Sequence, residues 1–391
     1  MKRKNMNNIF LIITANKFPM GDAGALRLQA YAEIILELGY RPYVICMGET
    51  TNYAWKHKDD ISYCSLRYSK HSLFHRTLGR VLYNKHLRKI LNEFKPSDIQ
   101  GILIDSGTRK TFHMAQSYAK LKEVPLIYDS VEWYSPSEFV CGEWSPAYRL
   151  NKSINEKLIN TDYKVIAISK YLENHFIKKG IETIRIPVII DFKPLGAIKQ
   201  SDRTCGLKIV YAGSIGNKDR IKEMVDAIIL LDADEKRRIS FNIMGITKDQ
   251  YEKCFGVLQE ELIQQSVFFM GRVERDVVLE QLESADFSFL LRPANERYAQ
   301  AGFPTKVVEA LASGVPMLTN YTSDLELYLN DEENSIIIEE CSTEACLRAL
   351  RRLLQCSHEQ LEQMKMNARK TAEENFDWKL YINEFDKLIS S

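Results

Sequence analysis

The 391-residue chain contains no CxxC pair, and its eight cysteines (Cys46, Cys64, Cys141, Cys205, Cys254, Cys341, Cys346 and Cys356) are scattered. That excludes a cysteine-rich zinc site and a disulfide framework, and it leaves reduced thiols in a cytosolic setting. The histidines are equally dispersed, without the spacing of metal ligands. An excess of one charge is missing too. Fifty-three Lys and Arg against 52 Asp and Glu give a net charge of +1, so nothing global points to nucleic acid. No apolar run is long enough to cross a bilayer. The run from Ile9 to Ala15 follows a basic start, MKRKNMNN, but it is short, has no cleavage site and ends in a polar loop. It is expected as a first strand rather than a signal peptide. No GxGxxG fingerprint occurs, and no stretch reads as a hairpin.

What is present is alternation. Strand signals fall at Asn8–Ala15, Pro42–Met47, Gly101–Asp105, Pro125–Asp129, Lys164–Ile168 and Ile186–Ile189, with helical stretches between them. The first such helix carries Leu26, Ala30, Ile34 and Leu38 at four-residue steps and stops at Gly39. A second series begins at Leu207–Ala212 and continues through Phe241–Gly245, Val267–Met270 and Phe287–Leu291. Between the two series, residues 191–206 hold Pro194, Gly196 and polar residues with little periodicity, and are expected as an interdomain linker. Strand and helix in alternation predict parallel sheets covered on both faces.

The most informative stretch is GFPTKVVEALASGVPMLT, Gly302 to Thr319. It follows the strand at Phe287–Leu291 and a polar loop from Arg292 to Ala301. Pro304 suits the first helical position, Thr305–Ser313 a short helix, and Gly314 its end before a strand at Val315–Leu318. In open parallel sheets ligands sit beyond the carboxyl ends of the strands. Gly302 lets the backbone approach a ligand, helix amides favour an anion, and Thr305 and Lys306 add a hydroxyl and a cation. Glu309, one turn on, offers a carboxylate for a ribose diol. The alternative is a capped helix with solvated Lys306 and Glu309.

This stretch resembles the nucleotide-sugar signature of GT-B glycosyltransferases of family four, the group 1 type. It keeps Gly302-Phe303, Glu309-Ala310 and Gly314-Val315-Pro316. It departs at Ala301, where that family has the first Glu of Glu-x₇-Glu, and at Pro304, where it has Gly. The resemblance extends to Gly213-Ser214-Ile215-Gly216-Asn217-Lys218, where Lys218 matches a diphosphate-gripping Lys and Ser214 replaces an Arg. It extends also to Gly271-Arg272-Val273, near the family's nucleobase pocket, and to Asp129 through Tyr134, with Val131 in place of a His. Asp129 or Glu132 is expected to orient an acceptor hydroxyl or take its proton; a plain loop with a capping Asp is the alternative. Gly21, Gly24 and Arg27 form the corresponding first loop, expected under the diphosphate or as a plain turn. Asp232-Ala233-Asp234 lies at a helix end and is rejected as a metal motif.

The resemblance implies a GT-B fold, two doubly wound α/β domains facing a cleft: residues 1–190 on the acceptor side, 207–375 binding the nucleotide sugar, and 376–391 returning to the first domain. It implies a retaining, metal-independent glycosyltransferase acting on a nucleotide-diphosphate sugar, UDP or GDP type, with no cofactor. The expected partners are that donor and a glycan or lipid-linked acceptor of bacterial surface polysaccharide synthesis. A GT-B epimerase, or a non-catalytic nucleotide-sugar-binding subunit, is the alternative. One further segment stands out. Residues 65–95 interleave Arg67, Lys70, Arg76, Arg80, Lys85, Arg88, Lys89 and Lys95 with apolar side chains, as a peripheral membrane element would. A solvated basic helix face is the alternative.

Overall fold

The computed structural model describes residues 8–19, 23–48, 53–67, 73–193, 196–201, 206–216, 218–259 and 265–390, with backbone alone at 67, 73–81 and 96. The chain forms two compact units, Met1–Asp191 with Asp377–Ser391, and Phe192–Phe376.

The first unit holds β1 (Ile9–Ile13), β2 (Arg41–Gly48), β3 (Lys56–Lys58), β4 (Ile61–Arg67), β5 (Ile99–Ile104), β6 (Leu126–Ser130), β7 (Lys164–Ala167) and β8 (Thr183–Arg185). They form one sheet in the order β3-β4-β2-β1-β5-β6-β7-β8. All neighbours are parallel except β3 and β4. β1 is IFLII and buried throughout, the unbroken apolar run that a strand covered on both faces requires. Its Phe10 packs edge-on against Tyr40 and beside Phe385 of the last helix, Ile382–Ser390. The C-terminal segment is therefore part of this core, and Trp378 N–H donates to the Ile190 carbonyl at 3.3 Å.

Three expectations change here. β3 and β4 are an antiparallel hairpin around Asp59-Asp60, with Asp59 at φ 52°. Lys56-His57-Lys58 is a polar edge strand, so it gives no alternation signal. The strand expected at 186–189 lies instead at Thr183–Arg185, because Pro187 has no N–H to continue the ladder. The basic segment 65–95 begins inside β4, and its helix runs Leu73–Leu91. On its described part Tyr83, Leu87, Ile90 and Leu91 are buried in the unit, whereas Lys85, Arg88 and Lys89 are exposed. These apolar side chains are core, not membrane anchors. Arg76 and Arg80 lie outside the described side chains, and Lys70 outside the described residues.

The second unit holds β9 (Leu207–Ala212), β10 (Ile239–Met244), β11 (Val267–Gly271), β12 (Phe287–Leu290), β13 (Met317–Thr319) and β14 (Ser335–Ile337). Their order is β11-β10-β9-β12-β13-β14, every pair parallel. Tyr211, Phe241, Phe287 and Phe289 fill its interior. Part of the expected linker belongs to this unit. Ser201 N–H donates to Glu362 Oε1 at 2.9 Å, and Lys199 pairs with Glu283 at 2.9 Å. Within the polar loop expected at 292–301, Arg297–Ala301 is helical. Pro304 caps the next helix, Thr305–Ala312, from just outside it. Asp232 is the N-cap of Ala233–Arg237, its carboxylate taking the Asp234 and Glu235 amides, which accounts for the Asp-Ala-Asp run without a metal. No helix among the described residues is long and apolar enough to cross a membrane.

Candidate active site

Three adjacent strands of the second unit run out at glycines: β9 into Gly213, β10 into Gly245 and β11 in Gly271. Gly213 N–H donates to the Met244 carbonyl at 3.0 Å, and Gly245 N–H to the Gly271 carbonyl at 2.6 Å. The backbones meet so closely that a Cβ on Gly245 would stand 2.3 Å from the Gly213 carbonyl oxygen. A Cβ on Gly213 would stand 2.4 Å from the Tyr211 hydroxyl and 2.6 Å from Lys306 Nζ. At Gly245 only glycine permits this approach, and at Gly213 the Lys306 ammonium lies against the bare backbone at the end of β9.

The centre of this edge is Asp219, a residue that the sequence reading did not single out. Lys306 Nζ lies 2.6 Å from its Oδ2 and Arg292 Nε 2.7 Å from its Oδ1. The Tyr211 hydroxyl donates to Oδ2 at 2.9 Å. The partners come from the end of β9, the residue after Leu291 beyond β12, and the first turn of Thr305–Ala312. Burial works against an ionised Asp219, but Lys306 and Arg292 outweigh it and hold the carboxyl well below its usual range. Burial pulls the Lys306 ammonium below its ordinary pKa, and Asp219 opposes that pull. One carboxylate thus faces two cations, and the edge keeps a net positive charge. Arg292 is fixed through its own peptide group: its N–H donates to Asn320 Oδ1 at 3.0 Å, and its carbonyl accepts from Asn320 Nδ2 at 2.7 Å.

The other expected donor-side residues divide. Lys218 Nζ sits over the Tyr298 ring at 5.4 Å, and its carbonyl accepts from the Tyr298 hydroxyl at 3.1 Å. It therefore faces Tyr298 while Lys306 faces Asp219. Ser214 is exposed in the same loop, and Thr305 is half-buried at the start of its helix. Gly302 follows the Arg297–Ala301 helix, its N–H donating to the Tyr298 carbonyl at 3.1 Å. Phe303 is a correction. Its ring is buried against Tyr328 and Phe376, so it anchors the loop from below and offers no side chain to a ligand. Glu309 Oε1 accepts from Arg275 Nη2 at 2.6 Å. Arg272 is exposed and Val273 half-buried, just beyond Gly271.

In the first unit Asp129 lies in β6, the strand expected at Pro125–Asp129, and is only 2% exposed. Its two oxygens take Arg27 Nε and Nη2, each at 2.9 Å, and the Tyr31 hydroxyl at 2.9 Å. Arg27 also donates to the Ile186 carbonyl at 3.0 Å and to the Pro187 carbonyl. Neither residue is then free for a substrate, which corrects both expectations: Asp129 is a buried partner and Arg27 is no diphosphate ligand. Gly21 lies outside the described residues. Glu132 remains half-buried past the strand end. Its carbonyl accepts from Asn151 Nδ2 at 3.0 Å, while Asn151 Oδ1 accepts the Tyr134 N–H at 3.0 Å. Burial, with the Glu132 carboxylate beside it, pushes the Tyr134 phenol far up. Asp105, at the end of β5, is a second unanticipated carboxyl. It accepts from Asn16 Nδ2 at 2.7 Å and from the Ser106 hydroxyl at 2.8 Å, and burial pushes it up to about 6. Among the described residues no group of three or more His, Cys, Asp or Glu gathers as metal ligands do.

Comparison with known proteins points the same way. Residues 199–371 match the family described as glycosyl transferases group 1. An uncharacterized glycosyltransferase of Methanocaldococcus jannaschii is 19% identical over 253 residues, 62% of this chain. The match spans 62% of that protein's length, less than two thirds of it. Sucrose-phosphate synthase from Thermosynechococcus elongatus superposes with a TM-score of 0.72 at 11% identity, over 97% of this chain and 98% of that one. Anabaena HepE, solved with UDP and glucose, superposes at 0.66 and 14% identity, over 98% and 99%. WaaG, a glycosyltransferase involved in lipopolysaccharide biosynthesis, does so at 0.66 and 16%, over 98% and 100%. At these identities the superpositions report the fold.

Proposed function

The chain is of the group 1 glycosyltransferase type, with the two Rossmann-like units of a GT-B fold, and from this premise we propose that it is a retaining, metal-independent glycosyltransferase. It moves a sugar from a nucleotide-diphosphate sugar to a glycan or lipid-linked acceptor of bacterial surface polysaccharide. One observation carries the reading: Lys306 and Arg292 converge on a glycine-lined strand edge with a single carboxylate between them. Two cations at fixed spacing suit a diphosphate, whose charge grows as the bond to the sugar breaks. Stabilising that charge in place of a metal is the main catalytic task, and each charge-assisted contact contributes on the order of a few kcal/mol. The Phe303 and Thr305 amides add to it, since Gly302 donates to Tyr298 and Pro304 has no N–H, and Glu309 takes the ribose. In the retaining step the acceptor hydroxyl oxygen bonds to the anomeric carbon on the face that the diphosphate leaves. The sugar–diphosphate bond breaks, and the hydroxyl proton passes to a diphosphate oxygen.

A relative solved with UDP and glucose supports a UDP-type donor, and one in lipopolysaccharide biosynthesis supports a surface-glycan acceptor. Lys85, Arg88 and Lys89, exposed on one helix, offer anionic lipid an electrostatic contact of about 1 kcal/mol each. The test is a transfer assay over a panel of nucleotide sugars with chelator present, the product anomer read by NMR. Transfer with retention is the expected outcome. Inversion, dependence on added metal, or epimerisation without transfer would overturn the corresponding part.

A further inference from the structure

The anion edge already contains an anion. Asp219 is 8% exposed at its side chain and touches both cations that the proposed diphosphate needs. It has little room to leave, since Tyr211 donates to the oxygen that Lys306 also holds. Two readings of such a carboxylate differ in sign. As plain scaffold it keeps the cations in place, and its loss weakens ligand binding. As a counter-ion it competes with the ligand for the same N–H groups, and its loss strengthens binding.

The geometry favours competition. The Arg292 backbone does not depend on Asp219 for its place, because its peptide group is locked to Asn320 and the side chain starts from that anchored point. Lys306 is held on the first turn of a helix and over the Tyr211 ring at 4.5 Å, against the Gly213 backbone. Both cations thus have supports of their own, and what Asp219 adds is charge. We propose that Asp219 is a positioning residue that acts as a built-in counter-ion, weakening the grip of Lys306 and Arg292 on the nucleoside diphosphate so that the product leaves. The inference rests on the reading of this edge as a nucleoside-diphosphate site. Asp219 balances one of two half-buried positive charges. With a diphosphate present it repels the ligand, and after transfer it reclaims the cations.

Calorimetry of the full chain with UDP tests this. Asp219→Asn keeps the volume and removes the charge, and should bind UDP about tenfold more tightly or better, as removal of a like charge next to an anion requires. Its turnover should fall together with its donor KM, since product release slows. Asp219→Glu should return affinity toward the wild type. A folded Asp219→Asn that binds UDP equally or more weakly, while the wild type binds, overturns the counter-ion and leaves the diphosphate site standing. If neither wild type nor variant binds UDP, GDP or pyrophosphate, the reading of the edge fails and the inference with it. Should the variant not fold, a wild-type complex with UDP decides. At least one of the Lys306 and Arg292 contacts to Asp219 is expected to lengthen beyond hydrogen-bond distance; both contacts retained overturns the proposal.

Discussion

Each unit carries an Asp that takes an Arg and a Tyr hydroxyl, and the two arrangements have opposite meanings. In the first unit Asp129 meets Arg27 and Tyr31 with side chains 2% and 6% exposed for the ion pair. The charges cancel one for one, and the spare guanidinium N–H groups are spent on the carbonyls of Ile186 and Pro187. In the second unit Asp219 meets Tyr211, Arg292 and Lys306, with the two cations 16% and 29% exposed. Two cations there share one carboxylate, and both remain partly exposed. A sealed, balanced pair is architecture; an open, unbalanced one suits an anionic ligand. Counting charges and exposure distinguishes them where residue identity does not.

The comparison breaks first at Arg27. Arg27→Ala would leave Asp129 with the Tyr31 hydroxyl but no cation, and two buried carbonyls without this donor, and should destabilise the chain by about 3–5 kcal/mol. Urea unfolding followed by circular dichroism would register it as a lower midpoint. A loss below about 1 kcal/mol would mean that water or another side chain replaces the guanidinium. Lys306→Ala reverses the pattern. Its melting temperature should fall less than that of Arg27→Ala, because Arg292 still pairs with Asp219, while transfer should fall by roughly 10²-fold or more. Steady-state rates against the wild type decide this, and full activity would remove Lys306 from the diphosphate. Lys218→Ala should cost less, because Lys218 lies over Tyr298.

The contrast explains what the sequence can disclose. The buried strands were legible because each is a continuous apolar run bounded by polar residues. Lys306 and Glu309 were legible because they follow a glycine loop within one short motif. Asp219 was not, since its partners stand 73 and 87 positions away and only the juxtaposition of β9 and β12 closes the triangle. Asp129 was noticed for its place at a strand end, but its partner Arg27 is 102 residues distant, and no local pattern links them. The polar edge strand Lys56–Lys58 was illegible because solvent on one side leaves its composition unconstrained. Local chemistry reads from the chain; charge balance needs the fold.

A carboxyl without a cation sharpens the same comparison. Asp105 has Asn16 and Ser106 as donors, and burial raises it to about 6. In the unfolded chain an Asp titrates near 4. Between these values the native state holds more protons, so stability falls as pH rises from about 4 to about 6. Asp105→Asn should flatten that slope and gain on the order of 2 kcal/mol at pH 7. Unfolding midpoints of both proteins at pH 4.5 and pH 7 test the sign. Parallel curves would show that Asp105 stays solvated and ordinary.

The smallest effect concerns Glu309, which contrasts with Asp219 in being matched by one cation rather than two. Arg275 Nη2 meets Glu309 Oε1 at 2.6 Å, while the side chains are 47% and 23% exposed. A pair so open contributes little to stability, within about 1 kcal/mol. Its second oxygen suits the ribose diol of a bound nucleotide, one turn past the Lys306 that we propose for the diphosphate. Glu309→Gln keeps the shape and loses the charge on which strong diol contacts depend. Thermal stability should be unchanged, and affinity for the free nucleotide should fall about tenfold, on the order of 1–2 kcal/mol. Arg275→Ala should produce a smaller loss, because it removes the orientation of the carboxylate and spares the carboxylate itself. Calorimetric titration of the three proteins with UDP separates these outcomes. If Glu309→Gln binds like the wild type, the carboxylate serves only Arg275, and the ribose is held elsewhere on the edge.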